Sequence, residues 1–205
     1  MAHQYFDDNA SLAHDRKTYE TTLLDEKYRF ITDSGVFSRE RLDFGSVVLI
    51  KAAAKTPVPN MGPLLDLGCG YGPIGIVMAH QLPERTVEMV DVNGRALALA
   101  RENAAANQVL NVNIHSSDGY SEVQATDYAR ILTNPPIRAG KQVVHRFITE
   151  ARSHLAPGGD LLVVIQKKQG APSARDKMQE VFGNVERIAL EKGYWILRSV
   201  KETVE

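Results

Sequence analysis

The chain has 205 residues, 43% of them apolar and 24% charged, with a formal net charge of −1. This composition excludes a disordered, collagen-like or coiled-coil chain, and at this length roughly 70% of the unfolded surface becomes buried without disulfide or metal staples. A net charge near zero also means that any nucleic-acid contact must come from a local basic patch. The single Cys69 cannot form an internal disulfide, and no Cys/His grouping has zinc-ligand spacing, so no metal site is expected. No apolar run approaches the ~20 residues of a membrane span, and the first residues lack a signal-peptide pattern. A cytoplasmic location and no membrane partner are the expectation.

In chain order, Tyr19 to Thr32 reads as extended segments turning at Asp25-Glu26. Asp43 is placed to cap a helix carrying Phe44, Val47, Val48 and Ala54, which Pro57-Val58-Pro59 ends. From Leu64 onward short apolar runs alternate with longer amphipathic ones. Strands are predicted at Leu64–Leu67, Val87–Asp91, Val112–His115, Ala129–Thr133 and Leu161–Ile165, with two closing strands at Val185–Leu190 and Tyr194–Val200. Helices are predicted at Gly75–Leu82, at Arg95–Asn107 behind the cap Asn93, around Val143–Ala151, and at Lys177–Phe182. Alternating strands and helices imply an α/β fold: a doubly wound, Rossmann-like, seven-stranded and mostly parallel sheet with an antiparallel last strand and a final antiparallel edge. Residues 1–60 form an N-terminal extension packed on a core domain over 61–205, one compact unit in all.

Asp66-Leu67-Gly68-Cys69-Gly70-Tyr71-Gly72 falls directly after a strand and before a helix. Glycines there let the backbone approach a ligand, and the helix N-terminus favours an anionic group. A dinucleotide fingerprint wants a third Gly or Ala where this chain has Pro73. S-adenosylmethionine carries an ammonium and a sulfonium but no phosphate, so the Asp66 carboxylate beside Gly68, Gly70 and Gly72 complements it. Asp91, at the end of the next strand, is where nucleotide-binding sheets place an acid for ribose hydroxyls; the bland alternative is a helix cap. Asp118 is an acceptor for an adenine amino group, or else a simple turn residue.

Asn134-Pro135-Pro136-Ile137 ends the fourth core strand at the same sheet edge. Two prolines fix the backbone and remove two donors, leaving carbonyls and the Asn side chain to accept. The Asn134 oxygen and the Pro135 carbonyl could take both hydrogens of an exocyclic NH₂. That would localise the nitrogen lone pair and aim it at a methyl donor, so positioning replaces a strong base. The alternative is a rigid turn with no ligand.

With these motifs in place, the chain resembles the class I S-adenosylmethionine-dependent amino methyltransferases. Thr32-Asp33-Ser34-Gly35-Val36-Phe37-Ser38 and Gln166-Lys167-Lys168-Gln169-Gly170-Ala171 narrow the likeness to the catalytic domain of small-subunit ribosomal RNA guanine-N2 methyltransferases of the C type. The resemblance runs from about Tyr19 to Val200. It implies that Phe37 and Ser38 border the cofactor, that Gly68, Gly70, Asp91 and Val92 bind it, and that Asn134 to Ile137 present the target amine. Ribosomal RNA or the small subunit would be the partner. The two-domain members carry an additional degenerate N-terminal domain that 205 residues cannot hold, and many amino methyltransferases have Tyr or Phe where this chain has Ile137.

Arg138, Lys141, Arg146, Lys167 and Lys168 should gather at the ligand-binding edge, either as phosphate contacts or as a solvated face. His80, His115, His145 and His154 are scattered, and the mechanism needs no imidazole. Cys69 reads as a packing residue, and Tyr194 and Trp195 as packing for a terminal strand. The same tetrapeptide would also serve adenine-N6 or protein-glutamine methylation. A cofactor-binding RNA chaperone without turnover is the rival outside enzymes, and Pro73 makes a nicotinamide oxidoreductase the poorest fit.

Overall fold

The computed structural model describes residues 13–36 and 41–203. Along them run β1 (Lys17–Leu23), β2 (Glu26–Thr32), α1 (Phe44–Lys55), β3 (Leu64–Leu67), α2 (Pro73–Gln81), β4 (Val87–Asp91), α3 (Gly94–Ala106), β5 (Val112–Ser116), β6 (Tyr128–Thr133), α4 (Lys141–His154), β7 (Leu155–Gln166), α5 (Ala171–Phe182), β8 (Glu186–Glu191) and β9 (Tyr194–Val200). The strands β3 to β9 form one sheet in the order β5-β4-β3-β6-β7-β9-β8. Pairing is parallel from β5 to β7 and antiparallel on both sides of β9. The expected doubly wound sheet of seven strands is thus present. The expected antiparallel edge is present as well: β9 inserts between β7 and β8, antiparallel to both, and β8 takes the outermost position.

Side chains alternate across the sheet with period two, which sorts the core into two layers. Leu64, Leu132, Leu162, Val164 and Ile196 face α1, α2 and α3. Leu65, Leu67, Ile131, Val163 and Leu197 face α4 and α5. Three boundaries differ from expectation for local reasons. Helix α2 starts at Pro73, because proline suits the first helical position and Gly72 caps it at φ +98°. Helix α5 likewise starts early, at Ala171 behind Gly170, and β7 begins at Leu155, with Gly158 (φ +77°) absorbing an irregularity. The hairpin turns at Leu24-Asp25, both in the left-handed region, one residue before the predicted place.

The β1–β2 hairpin is a separate two-stranded sheet. Its inner strand, β2, is held by helix α3 rather than by another strand. Asn103 accepts from the Ile31 N–H at 2.7 Å and donates to the Ile31 carbonyl at 3.0 Å, and Asn107 does the same with Arg29 at 3.0 and 2.8 Å. Tyr28 and Phe30 meanwhile fill the core on the α2 side, and the Tyr19 hydroxyl bonds that of Tyr71 at 2.7 Å.

Arg130 of β6 is wholly buried. It forks onto Asp160 of β7 (2.7 and 2.8 Å) and donates to the carbonyls of Ala53, Thr56 and Pro57 at the end of α1. Asp160 also accepts from Arg198 at 2.8 Å. A buried charge is tolerated when every donor is satisfied, and here the cluster pins the C-terminal end of α1 to the sheet. Arg130→Met should cost about 3–5 kcal/mol in urea unfolding, the usual loss when one partner of a buried pair is removed. A loss below about 1 kcal/mol would show that Arg198 alone satisfies Asp160.

Candidate active site

The parallel strands end along one edge, and a cavity of about 270 Å³ opens there. Gly68, Gly70, Tyr71, Asp91, Val92, Asp118, Asn134, Pro135, Pro136 and Ile137 are among its lining residues. The structure therefore brings together most of the residues that the sequence nominated from four separate strand ends. Phe37 and Ser38 lie outside the described residues.

Between β3 and α2 the loop passes through φ +75° at Gly68, +57° at Gly70 and +98° at Gly72. These glycines do different work. A Cβ on Gly70 would meet nothing within 4 Å, so it would project into free space at the cavity. On Gly72 it would strike Ile76 and Met89 at 2.9 Å. Gly72 is buried and does not line the cavity, which corrects its expected cofactor contact to a packing role. Cys69 is buried too, and burial raises its thiol well above the ordinary range, so it presents no thiolate near neutrality.

Asp66 is the second correction. Its side chain faces the helix layer, fully buried, and its Oδ2 accepts the Gly75 N–H at 2.7 Å. It does not line the cavity; it ties the first turn of α2 to β3 from beneath the loop. Its Oδ1 has no hydrogen-bond partner. Burial, reinforced by the nearby Asp91 charge, pushes its carboxyl from the ordinary 3.8 up to about 7 against the opposing Gly75 bond. A raised carboxyl pKa favours the protonated folded state, so this group contributes most stability below pH 3.8 and loses it as pH rises toward 7. Asp66→Asn keeps an acceptor for Gly75 and removes the titration. Urea unfolding should therefore show the wild-type chain weakening relative to the variant between pH 4 and 8; parallel stability profiles would refute the buried neutral carboxyl.

Asp91 does line the cavity. Its Oδ2 accepts the Gly70 N–H at 2.8 Å and its Oδ1 the Asn93 N–H at 2.9 Å. With the Val92 N–H also directed at the carboxylate, an acceptor position remains for a ribose hydroxyl. Burial raises its pKa, with the three backbone N–H groups of Asn93, Gly70 and Val92 opposing. Helix α3 is capped instead by Asn93, whose side chain accepts from Ala96 at 3.1 Å. Asp118 lines the cavity, yet its exposed carboxylate is paired with Arg146. That pairing engages the acceptor expected for adenine and takes Arg146 out of the set of unengaged cations.

The geometry at Asn134 is the most informative. Alternation along β6 puts it on the same face as Leu132, against the N-terminus of α1. Its Nδ2 donates to Asp43 Oδ2 at 2.9 Å and to Ser46 Oγ at 3.0 Å. A carboxylate oxygen accepts and does not donate, so the amide is oriented with its nitrogen on α1, and its oxygen has no partner among the described residues. Asp43 also caps α1, accepting the Ser46 N–H at 3.0 Å. Asp43 and Ser46 are site residues that the sequence reading did not nominate; the cap itself was the only visible signal. His145 lies outside the cavity, on Ser173 at 3.0 Å.

The family model for the methyltransferase small domain matches residues 27–198. An uncharacterized Bacillus subtilis protein, YbxB, is 45% identical over 202 residues, covering 98% of this chain and all of its own. Ribosomal RNA small subunit methyltransferase C of Pasteurella multocida is 36% identical over 152 residues, which are 72% of this chain and 44% of that protein. The chain thus spans under half the length of that curated relative. Among solved structures, T. thermophilus 16S rRNA N2 methyltransferase RsmC, in complex with AdoMet and guanosine, superposes with a TM-score of 0.80 at 24% identity, over 91% of this chain and 51% of that one. The chain belongs to the methyltransferase small domain family. It is an S-adenosylmethionine-dependent methyltransferase.

The residues present fit that cofactor. Gly70 leaves the space a side chain would fill, Asp91 offers two carboxylate oxygens, and no described cavity residue forms a phosphate-binding set of cations. Asp91→Ala should weaken S-adenosylhomocysteine by about 10- to 100-fold in calorimetry, the loss expected for bonds to a charged group. An unchanged dissociation constant would remove Asp91 from the cofactor site.

Proposed function

We propose that this enzyme methylates an exocyclic amino nitrogen, specifically guanine N2 in small-subunit ribosomal RNA. The observation that carries the reading is the Asn134 amide, with its NH₂ held by Asp43 and Ser46 and its oxygen left to accept. When bound, the cofactor supplies a methyl group on a positively charged sulfur. The protein's part is positioning. Asn134 Oδ1 and the Pro135 carbonyl take the two amine hydrogens, which localises a lone pair otherwise delocalised into the ring. Pro135 and Pro136 hold these acceptors rigid, and Ile137 adds an apolar wall at the start of a short 3₁₀ turn. Alkylation makes the nitrogen cationic and its protons acidic. The Asp43 charge behind Asn134 stabilises that developing positive charge through the amide dipole, and the proton leaves to water afterwards.

Ribosomal RNA as the acceptor is supported by the names of the relatives and by cations in or close in sequence to the segments that line the cavity. Lys141, Lys167 and Lys168 are exposed, and Arg138 lines the cavity. Such cations suit a looped RNA whose base is splayed outward. Labelled cofactor should transfer methyl to isolated small ribosomal subunits or their free RNA, and mass spectrometry of the digest should identify N2-methylguanosine. Asn134→Ala should lower turnover by at least about 100-fold while leaving cofactor affinity within about twofold. Label in adenine N6 or in protein glutamine would overturn the guanine assignment, and near-normal turnover by the variant would overturn the amine-holding role.

A further inference from the structure

The tetrapeptide ends in Ile137, so it offers a target base no aromatic face. We infer that Tyr194, from β9, supplies that face: its ring forms a wall of the acceptor pocket and stacks on the methylated base. This rests on the base-methylating reading above and deepens it by naming the residue that recognises a planar heterocycle.

Alternation along β9 separates the two adjacent aromatics. Trp195 is buried on the α4–α5 side with Leu197, and the Arg187 guanidinium lies 4.8 Å from its ring centre. Tyr194 shares the opposite face with Ile196, where it meets the start of α1, and it lines the cavity that also holds Asn134. Both therefore pack the strand as the sequence suggested, but Tyr194 in addition lines the cavity.

Two neighbours set the ring in place, Phe44 and Gly45. Its edge meets Phe44, with centroids 5.7 Å apart at 61°. Lys192 Nζ sits 4.7 Å from the Phe44 centroid and completes that stack. Beneath the ring lies Gly45, where a Cβ would come 2.9 Å from Tyr194 Cε1 and 3.0 Å from Asp43 Oδ2. The ring edge and the Asp43 carboxylate thus share one neighbouring point, and that carboxylate is 2.9 Å from Asn134 Nδ2. The aromatic wall and the amine acceptor stand side by side. Any side chain at position 45 would push them apart, although alanine would otherwise favour the helix.

The Tyr194 hydroxyl forms no hydrogen bond among the described residues, so its tip remains available to an incoming ligand. Burial and then the Asp43 charge keep the phenol protonated. Base–aromatic stacking tolerates any base, since every base has a π-face, so this wall recognises a flipped base while Asn134 selects an amino group.

The test compares wild type, Tyr194→Phe and Tyr194→Leu in methyl transfer to small ribosomal subunits prepared from cells lacking this enzyme. A parallel readout is quenching of a short single-stranded RNA carrying one 2-aminopurine, whose fluorescence falls on stacking. Tyr194→Leu should raise the acceptor KM about tenfold or more and abolish the quenching. Its kcat should stay within about threefold, and its S-adenosylhomocysteine affinity and Tm should match wild type; a merely structural role would move those last two instead. Tyr194→Phe keeps the ring and should behave as wild type within about threefold. If wild type methylates a base and Tyr194→Leu keeps its KM and its quenching, the stacking role falls and the proposed function stands. If wild type methylates no nucleic-acid base, both fall.

Discussion

One side-chain amide sets the chemistry of this site. Asn134 can place either its oxygen or its nitrogen toward an acceptor, and only the oxygen can hold an amine. The choice is made from outside β6, because Asp43 Oδ2 and Ser46 Oγ take the amide nitrogen. A carboxylate cannot donate, so flipping the amide would set its oxygen against the Asp43 oxygen and forfeit the bond from Nδ2 to that carboxylate. The orientation needed for catalysis is therefore built in before any substrate arrives.

That constraint reaches through the whole architecture. Asp43 is also the cap of α1, so the position of the amide depends on where this helix begins. The far end of α1 is fixed by Arg130, which links its last carbonyls to β6 and, through Asp160, to β7. Strand β6 carries Arg130 near one end and leads into Asn134 at the other. Helix and strand are thus clamped together at both ends by polar contacts that span more than 70 residues of sequence. Across the cavity, the glycine loop is held with the same economy: Asp66 grips α2 from below, and Asp91 grips Gly70 from the side.

What could be read from the sequence follows from which interactions are local. The strand–helix alternation, the glycine loop, Asp91 and the tetrapeptide were legible because each is a short pattern whose meaning depends on its immediate neighbours. Asp66 shows the limit. Its spacing to Gly68 was informative, but β-strand alternation turns its side chain under α2 rather than into the cavity. Gly72 fails similarly, since crowding by Ile76 and Met89 explains it without a ligand. Asp43, Ser46 and Tyr194 escaped altogether as site residues. The first two lie 91 and 88 residues from Asn134, and nothing local in an N-cap or a terminal-strand tyrosine tells what stands opposite. The antiparallel edge was legible, but the order of its two strands was not, because chain order does not reveal that the last strand threads back between two earlier ones.

The amide orientation is tested most directly by a ternary crystal structure with S-adenosylhomocysteine and guanosine. The account predicts the guanine N2 within about 3 Å of Asn134 Oδ1, with Nδ2 still bonded to the Asp43 carboxylate. A complex in which the amide has turned, so that its nitrogen meets the base and its oxygen faces Ser46, would contradict it.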